Sequence, residues 1–265
     1  MDKTIELVNN VKDIHAMPSV IVKALNVMKK PTASMKELGD IVMFDQSLTI
    51  KILALVNSAY YGFSQQISSI NIALSLLGMV KVKNIIVAVA MKPMMSNQGD
   101  KELWKHSMRV AAGCEYLANI TKVMDADEAF IAGFVHDVGK MVLQMTNEKL
   151  YTKVLNSVEM GTDILDAERK YFDSDHVKTG SLLAKRWQLP ILLANIISYH
   201  HAPSLSSIPV PCNLVCFIDK LVQDNYDPNT IDKDFVKTLG IDFEDLNDLR
   251  DVILQKSELL ISELS

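Results

Sequence analysis

The segment Asp125-Ala-Asp-Glu128-Ala-Phe-Ile-Ala-Gly-Phe134-Val-His136-Asp137-Val-Gly-Lys140 decides the class of fold. Asp125 followed three residues later by Glu128 resembles a capping box, the exchange of side chain and backbone that opens an α-helix. The apolar run behind it has no period-two alternation, so it reads as buried helix rather than strand. The run ends in residues that an apolar core does not need: an adjacent His136–Asp137 pair, a glycine and a lysine. On helical geometry the pair points about 100° apart. The imidazole can hold one cation, and the carboxylate can bridge two. Gly139 lets backbone or substrate come close. Lys140, three residues past Asp137, returns to the same face, where its ammonium suits a phosphate oxygen beside the metal.

The helical pattern extends outward from this segment. The 10 glycines and 8 prolines are scarce and sit at boundaries, with apolar residues between them at three- and four-residue spacing. Ser34-Met-Lys-Glu37 is a capping box, and Asp45, Ser69 and Asp100 each precede an apolar-periodic run. Gly78 looks like a helix stop. Pro190 suits a first helical turn, where its missing N–H would be unpaired anyway. Ile85 to Val89 is rich in β-branched residues, but no turn signal flanks it closely on the N-terminal side, so a buried helix is expected. The expected fold is all-α. An N-terminal helical bundle spans residues 1–97, a helical core 98–223 and C-terminal helices 224–265. The breaker-rich segment from Pro93 to Asp100 marks the first boundary. The last part carries an acidic turn, Asp242-Phe-Glu-Asp245, and a final amphipathic helix.

With 265 residues, 49 % hydrophobic and 22 % charged, the chain is long and apolar enough for a sizeable core. The net charge of −5 comes without a basic stripe, Lys81 and Lys83 being a small local exception, so nucleic acid is not an expected partner. Cys114, Cys212 and Cys216 are an odd, sparse set, which suggests a reducing compartment and small buried hydrophobes rather than a zinc pair. Residues 1–17 hold no apolar stretch suited to a signal peptide. The most apolar run, Ile85 to Met91, is far shorter than the roughly 20 residues that cross a bilayer. A cytoplasmic location without membrane contact is expected.

Five of the six histidines fall between His106 and His201, leaving His15 apart as an ordinary surface or capping residue. His106 follows Glu102 by four residues, on one helix face. His176 comes just after Asp173-Ser-Asp175 at a helix start, and His200-His201 close the helix that begins near Pro190. Asp219 lies among Val215, Phe217, Ile218 and Leu221, where a carboxylate must be paired, hydrogen-bonded or metal-bound. Each has a plainer reading. A lone helical histidine is more often a satisfied polar residue, Asp175 and Glu102 suit the positive ends of helices, and Asp219 could pair with Lys220 or Lys185. Taken together, the histidines with Asp137 and Asp219 favour a centre for two divalent ions. Imidazole and carboxylate suit zinc, iron, manganese or nickel, and sequence does not choose among them.

The order His106, His136-Asp137, His176, His200-His201, Asp219 resembles the ligand pattern of the HD superfamily of metal-dependent phosphohydrolases. Its minimal His, His-Asp, Asp set maps onto His106, His136, Asp137 and Asp219. His176, His200 and His201 match the larger set of dinuclear members, Lys140 a lysine that several place after the His-Asp pair, and Glu102 an additional ligand position in some multi-metal relatives. The N-terminal half narrows the resemblance. Ile14-His-Ala-Met-Pro18, Ser34-Met-Lys-Glu-Leu38, Phe44-Asp45-Gln-Ser-Leu48, Val56-Asn-Ser-Ala-Tyr-Tyr-Gly62 and Ala73-Leu-Ser-Leu-Leu-Gly78 follow in order, and Trp104-Lys-His-Ser107 follows them. This is similar to the HDOD family, the HD-related output domain of bacterial signalling proteins, from about residue 14 to about residue 220. Gln46 departs from it, standing where the family usually has proline.

The resemblance implies an HD-type helical core and a regulatory output module that meets a protein partner through its N-terminal half. Many members have lost part of the ligand set, whereas this chain keeps all of it. The alternative is a metal-dependent phosphohydrolase, a phosphodiesterase or nucleotidase, acting on a nucleotide or other phosphoester with Asp137 and Lys140 in the catalytic roles. Relatives that hydrolyse cyclic-di-GMP carry a Gly-Tyr-Pro element shortly after the His-His pair. Here the chain reads His200-His201-Ala-Pro-Ser-Leu, so that activity is not expected.

Overall fold

The computed structural model of the protein describes residues 3–11, 18–28, 34–96 and 101–264. All regular structure among them is helical, as the apolar periodicity requires. The N-terminal part comprises α1 (Lys3–Asn10), α2 (Ser19–Met28), α3 (Met35–Met43), α4 (Gln46–Val56) and α5 (Ile70–Met95). The central part comprises α6 (Glu102–Thr121), α7 (Ala126–Val135), α8 (Val138–Thr146), α9 (Glu148–Glu159), α10 (Ile164–Phe172), α11 (His176–Arg186), α12 (Ile191–Tyr199) and α13 (Pro209–Leu221). Then α14 (Lys233–Thr238) and α15 (Leu246–Leu264) complete the chain, with the acidic turn 242–245 just before α15. His15 and Asp100 lie outside the described residues.

Several helix starts follow local side-chain chemistry, although Ser69 ahead of α5 makes no capping hydrogen bond. Ser34 and Glu37 form both halves of the capping box, and Asp45 accepts from the Leu48 amide at 3.0 Å. Asp125 accepts from the amides of Asp127 and Glu128 at 3.0 and 3.1 Å. Gly78 is the expected stop: its φ of 78° and ψ of 160° are not helical, so α5 is two helical stretches that meet at a kink there, the second running through Pro93 to Met95. Two local expectations need correction. Pro190 takes the N-cap position, one residue ahead of the first turn, because its ψ of 147° is extended. His136 and Asp137 do not share a helix. His136 ends α7, and Asp137, with ψ 15°, forms the turn into α8.

The segment Ile85 to Val89 is helical, with Ile85, Ile86, Val87 and Ala88 buried. By length and composition α5 could cross a membrane, but half of its most apolar window is buried against other helices, which marks a core helix of the bundle. One apolar core includes Ile86, Trp104, Met108, Phe134, Ile218 and Ile253. Burying each such side chain contributes about 1.5–3 kcal/mol. A smaller cluster of Leu143, Tyr151, Val154, Ala167 and Phe172 lies under α9 and α10. Helix α15 packs on α6 and α4, and its Leu264 carbonyl accepts from Lys51 and Lys92 at 2.7 and 3.1 Å.

Two close helix contacts need glycine. A Cβ on Gly133 would lie 2.8 Å from the Val110 carbonyl, so α7 rests directly on α6. A Cβ on Gly139 would lie 1.9 Å from the His176 carbonyl and 2.7 Å from the Gly180 amide, so the first turn of α8 sits against the first turn of α11. The sequence left open whether Gly139 admits backbone or substrate; it admits backbone.

Candidate metal centre

Five separate elements bring their ligand-type residues to one place. His106 comes from α6 and Asp219 from α13, while His136 and Asp137 occupy the α7–α8 turn. His176 opens α11 and His200-His201 follow the end of α12. Their donor atoms form two groups, His106, His136 and Asp219 on one side and His176, His200, His201 and Asp137 on the other. Asp137, 1 % exposed, faces both. Its Oδ1 lies 3.4 and 3.6 Å from Nε2 of His176 and His200, and its Oδ2 lies 3.2 and 3.6 Å from Nε2 of His136 and His106. Asp219 Oδ1 is 3.0 Å from His106 Nε2 and 3.7 Å from His136 Nε2.

The far sides of the rings settle what these nitrogens can do. His136 Nδ1 lies 2.7 Å from the Gly133 carbonyl, and His200 Nδ1 lies 3.1 and 3.2 Å from the carbonyls of Ile196 and Ile197. His176 Nδ1 lies 2.7 Å from Glu168 Oε2. Carbonyl oxygens only accept, so Nδ1 of His136 and of His200 carries the hydrogen, and in the neutral ring each of their Nε2 atoms presents a lone pair inward. Glu168 Oε2 also accepts from the His176 amide at 2.8 Å. His176 Nε2 is 3.3 Å from His200 Nε2 and 3.0 Å from His201 Nε2. Lone pairs and carboxylate oxygens this close repel unless a proton or a metal cation lies among them; His201 Nε2–H can supply such a proton to His176 Nε2. His106 Nε2, His136 Nε2, Asp137 Oδ1 and Asp219 Oδ1 are buried without a hydrogen bond. Such groups are costly unless something else satisfies them. Ligand atoms around one cation at about 2.1 Å stand roughly 3.0–3.5 Å from each other, so the spacing fits a metal centre.

The electrostatics agree. Burial opposes charge on His136, but Asp137 and Asp219 outweigh it and raise its pKa to about 10. Burial would raise both carboxyl groups, yet His136 and Lys140 hold Asp137, and His106 and His136 hold Asp219, well below the usual range. Burial pushes His176 well below the ordinary imidazole value. The centre thus keeps its carboxylates ionised and draws a positive charge to the place between them.

Lys140 reaches Asp137 Oδ2 at 2.5 Å. Its ammonium therefore serves as a counter-ion to the carboxylate that a phosphate-binding role would leave aside. Asp175 caps α11 through the Lys178 amide at 2.8 Å and pairs with Arg169 at 2.8 Å. Glu102 pairs with Lys105 at 2.6 Å on the rim and stands outside both ligand groups. Lys220 donates to the Thr230 carbonyl rather than pairing with Asp219. Of the cysteines, Cys114 and Cys212 are buried, and Cys216 is partly exposed on the cleft wall.

Sequence reasoning missed Glu168. This carboxyl is 0 % exposed, and its Oε1 lies 3.5 Å from the Tyr151 hydroxyl. Burial raises its pKa to about 8 against the pull of Lys140 and the His176 amide. In the sequence it stands beside Arg169 and Lys170 and looks solvated. The available signal was its helix face, which Ile164 and Phe172 share at four-residue spacing.

The centre opens into a cleft of about 640 Å³, a size usual for small-ligand sites. Its lining includes Leu155, Val158, Ile164, Lys220, Gln223 and Asn225 together with His106, Asp137, Lys140, His201 and Asp219.

Residues 14–203 match the HDOD domain, a span that holds His106, His136, Asp137, His176, His200 and His201 but stops short of Asp219 and of the expected end near residue 220. The chain belongs to the HDOD family. This HDOD chain is 25 % identical over 202 residues to an uncharacterised protein of Treponema pallidum (strain Nichols), covering 74 % of the chain and 39 % of that protein. It is 27 % identical over 151 residues to the uncharacterised protein YuxH of Bacillus subtilis (strain 168), covering 56 % of the chain and 36 % of YuxH. The chain thus spans less than two fifths of the length of either relative. Among solved structures, an HDOD domain protein of unknown function from Geobacter sulfurreducens superposes with a TM-score of 0.79 at 22 % identity, over 96 % of this chain and 97 % of the other. A protein from Shewanella amazonensis SB2B, described as a candidate phosphohydrolase, gives 0.76 at 20 % identity over 98 % of each chain. A candidate signal transduction protein from Marinobacter aquaeolei VT8 gives 0.79 at 18 % identity, over 99 % of this chain and 64 % of the other. These likenesses establish a shared fold.

Proposed function

We propose that this HDOD chain is a regulatory signalling module that holds two divalent metal ions, with Asp137 as the shared ligand, and binds a phosphoester in the cleft above them. The observation that carries the metal reading is the set of four buried, hydrogen-bond-free atoms on His106, His136, Asp137 and Asp219. His176, His200 and His201 complete the ligand set on the other side of Asp137. Imidazole with carboxylate suits iron, zinc, manganese or nickel. Bound divalent ions supply a Lewis acid for a phosphoryl oxygen and lower the pKa of a coordinated water. The chain's own part is to fix the rings through Gly133, Ile196, Ile197 and Glu168, to keep both carboxylates ionised, and to offer Lys140 to an incoming phosphate. The regulatory role is supported by membership of the family and by the N-terminal helices α2–α5, which supply none of these ligand residues.

A second reading, a metal-dependent phosphohydrolase, is favoured by one specific observation: four of the ligand-type residues, His106, Asp137, His201 and Asp219, line an open cleft. The first test is metal analysis by inductively coupled plasma mass spectrometry on protein purified without chelator or nickel resin, beside Asp137→Ala. The expected result is about two equivalents of one metal, lost in the variant. Folded, metal-free wild-type protein overturns the metal reading. Phosphodiester and nucleotide turnover that disappears in Asp137→Ala would establish the second reading over the first.

A further inference from the structure

We propose that Glu168 is a positioning residue for the metal centre: its Oε2 accepts from both the ring Nδ1–H and the main-chain N–H of His176, and so aims His176 Nε2 at the bound ion. The inference rests on the metal reading above and goes beyond it, to a residue that stands outside the ligand set.

Glu168 lies on α10, eight residues before His176, and both side chains are fully buried. Its Oε2 stands 2.7 Å from His176 Nδ1 and 2.8 Å from the His176 amide nitrogen. A main-chain N–H only donates, so this oxygen accepts there. With an ion in place, Nε2 gives up its lone pair, and the one hydrogen of the ring sits on Nδ1, facing the same oxygen. The ring and the main chain of one residue are then held at a single point. That contact stops the ring from turning Nε2 away from Asp137 Oδ1, which lies 3.4 Å from it.

The place of His176 in its helix explains why the partner is a side chain. His136 and His200 close their helices, and their Nδ1 atoms rest on main-chain carbonyls three or four residues back. His176 is instead the first residue of α11, with no earlier turn of that helix to offer a carbonyl. The acceptor has to come from another element, and α10 supplies it.

The chemistry of the group points the same way. A carboxyl away from water is costly unless it is well hydrogen-bonded. A neutral glutamine of the same size would satisfy the amide alone. A ring bound to a divalent ion carries positive charge, and its hydrogen bond to a carboxylate belongs to the stronger, charge-assisted kind. A carboxylate behind a ligand histidine fixes the ring and raises its basicity, and losing such a partner typically weakens metal affinity about 10- to 100-fold.

The test is calorimetric titration of the full chain with Zn²⁺, for wild type, Glu168→Gln and Glu168→Ala. Thermal melting of the metal-free proteins and NMR of the imidazole N–H groups accompany it. Glu168→Gln preserves the size and one acceptor oxygen, so it serves where the alanine variant does not fold. In Zn²⁺-loaded wild type the hydrogen of His176 should be found on Nδ1, with the downfield resonance of a proton held by a carboxylate. Glu168→Gln should move that resonance upfield and weaken at least one Zn²⁺-binding step about tenfold, and folded Glu168→Ala should weaken it by up to about 100-fold. A purely structural glutamate would lower the melting temperature and leave both the affinity and the ring resonance where they were. That result in Glu168→Gln overturns the inference while the metal reading stands, and so does a hydrogen on His176 Nε2 in the loaded protein. Wild type that binds no Zn²⁺ and carries no other metal overturns the metal reading itself, and this inference with it.

Discussion

At the residue scale, the candidate centre depends on a few close contacts. Gly139 shows how narrow the tolerances are. A methyl group there would occupy the place of the His176 carbonyl, so α8 and α11 would have to part and carry Asp137 away from His176. Gly139→Ala should therefore destabilise the fold by about 1–3 kcal/mol and also reduce bound metal. Thermal melting with metal analysis reads both, and an unchanged metal content in a folded variant would show that the contact is not needed by the centre. Gly180 faces the same contact from the other side and approaches Ile197. The first turns of the helix that presents His176 are thus seated through two glycines, while Leu183 and Ala184 bury its later turns in the core.

At the scale of elements, the ligands depend on where helices start and stop. His136 ends α7, His176 begins α11 and His200 ends α12. The Asp125 cap fixes the start of α7, the helix that ends at the centre. Removing it leaves two amides without that acceptor. Asp125→Ala should cost about 1 kcal/mol, or roughly 2–4 °C in melting temperature for a chain of this size. A calorimetric scan measures this, and metal stoichiometry should stay at the wild-type value because the cap lies a whole helix away. Asp175 works similarly for α11, with Arg169 holding its second oxygen.

At the scale of the whole molecule, metal binding at the candidate centre would be linked to folding. Ions that bind only the folded chain should stabilise it by mass action. At a free metal concentration of about 100 times the dissociation constant the gain is about 2.7 kcal/mol, or roughly 5–10 °C in melting temperature. A chelator should remove that gain for wild type, whereas Asp137→Ala should show no metal-dependent shift. Equal shifts in both proteins would place the binding elsewhere. The same scale decides what α15 does. It closes the molecule by packing on α6, the helix of His106, and on α4 of the N-terminal part.

Much of this was legible in the chain itself. Three- and four-residue apolar spacing and the caps at Ser34, Asp45 and Asp125 are local signals, so helices could be read without knowing their neighbours. The order of His106, His136, Asp137, His176, His200, His201 and Asp219 was likewise visible, because each ligand-type side chain stands out from its apolar surroundings. Their convergence was not, because distance in space depends on how helices pack, and that packing hinges on contacts such as Gly139 against the His176 carbonyl. Tertiary structure alone revealed the turn that separates His136 from Asp137. It alone buried Glu168 behind His176, since a glutamate beside Arg169 and Lys170 looks solvated until a neighbouring helix covers it. It also placed Lys140 on one oxygen of Asp137 and left the other bare, an asymmetry of two atoms on one side chain that no one-dimensional pattern can encode.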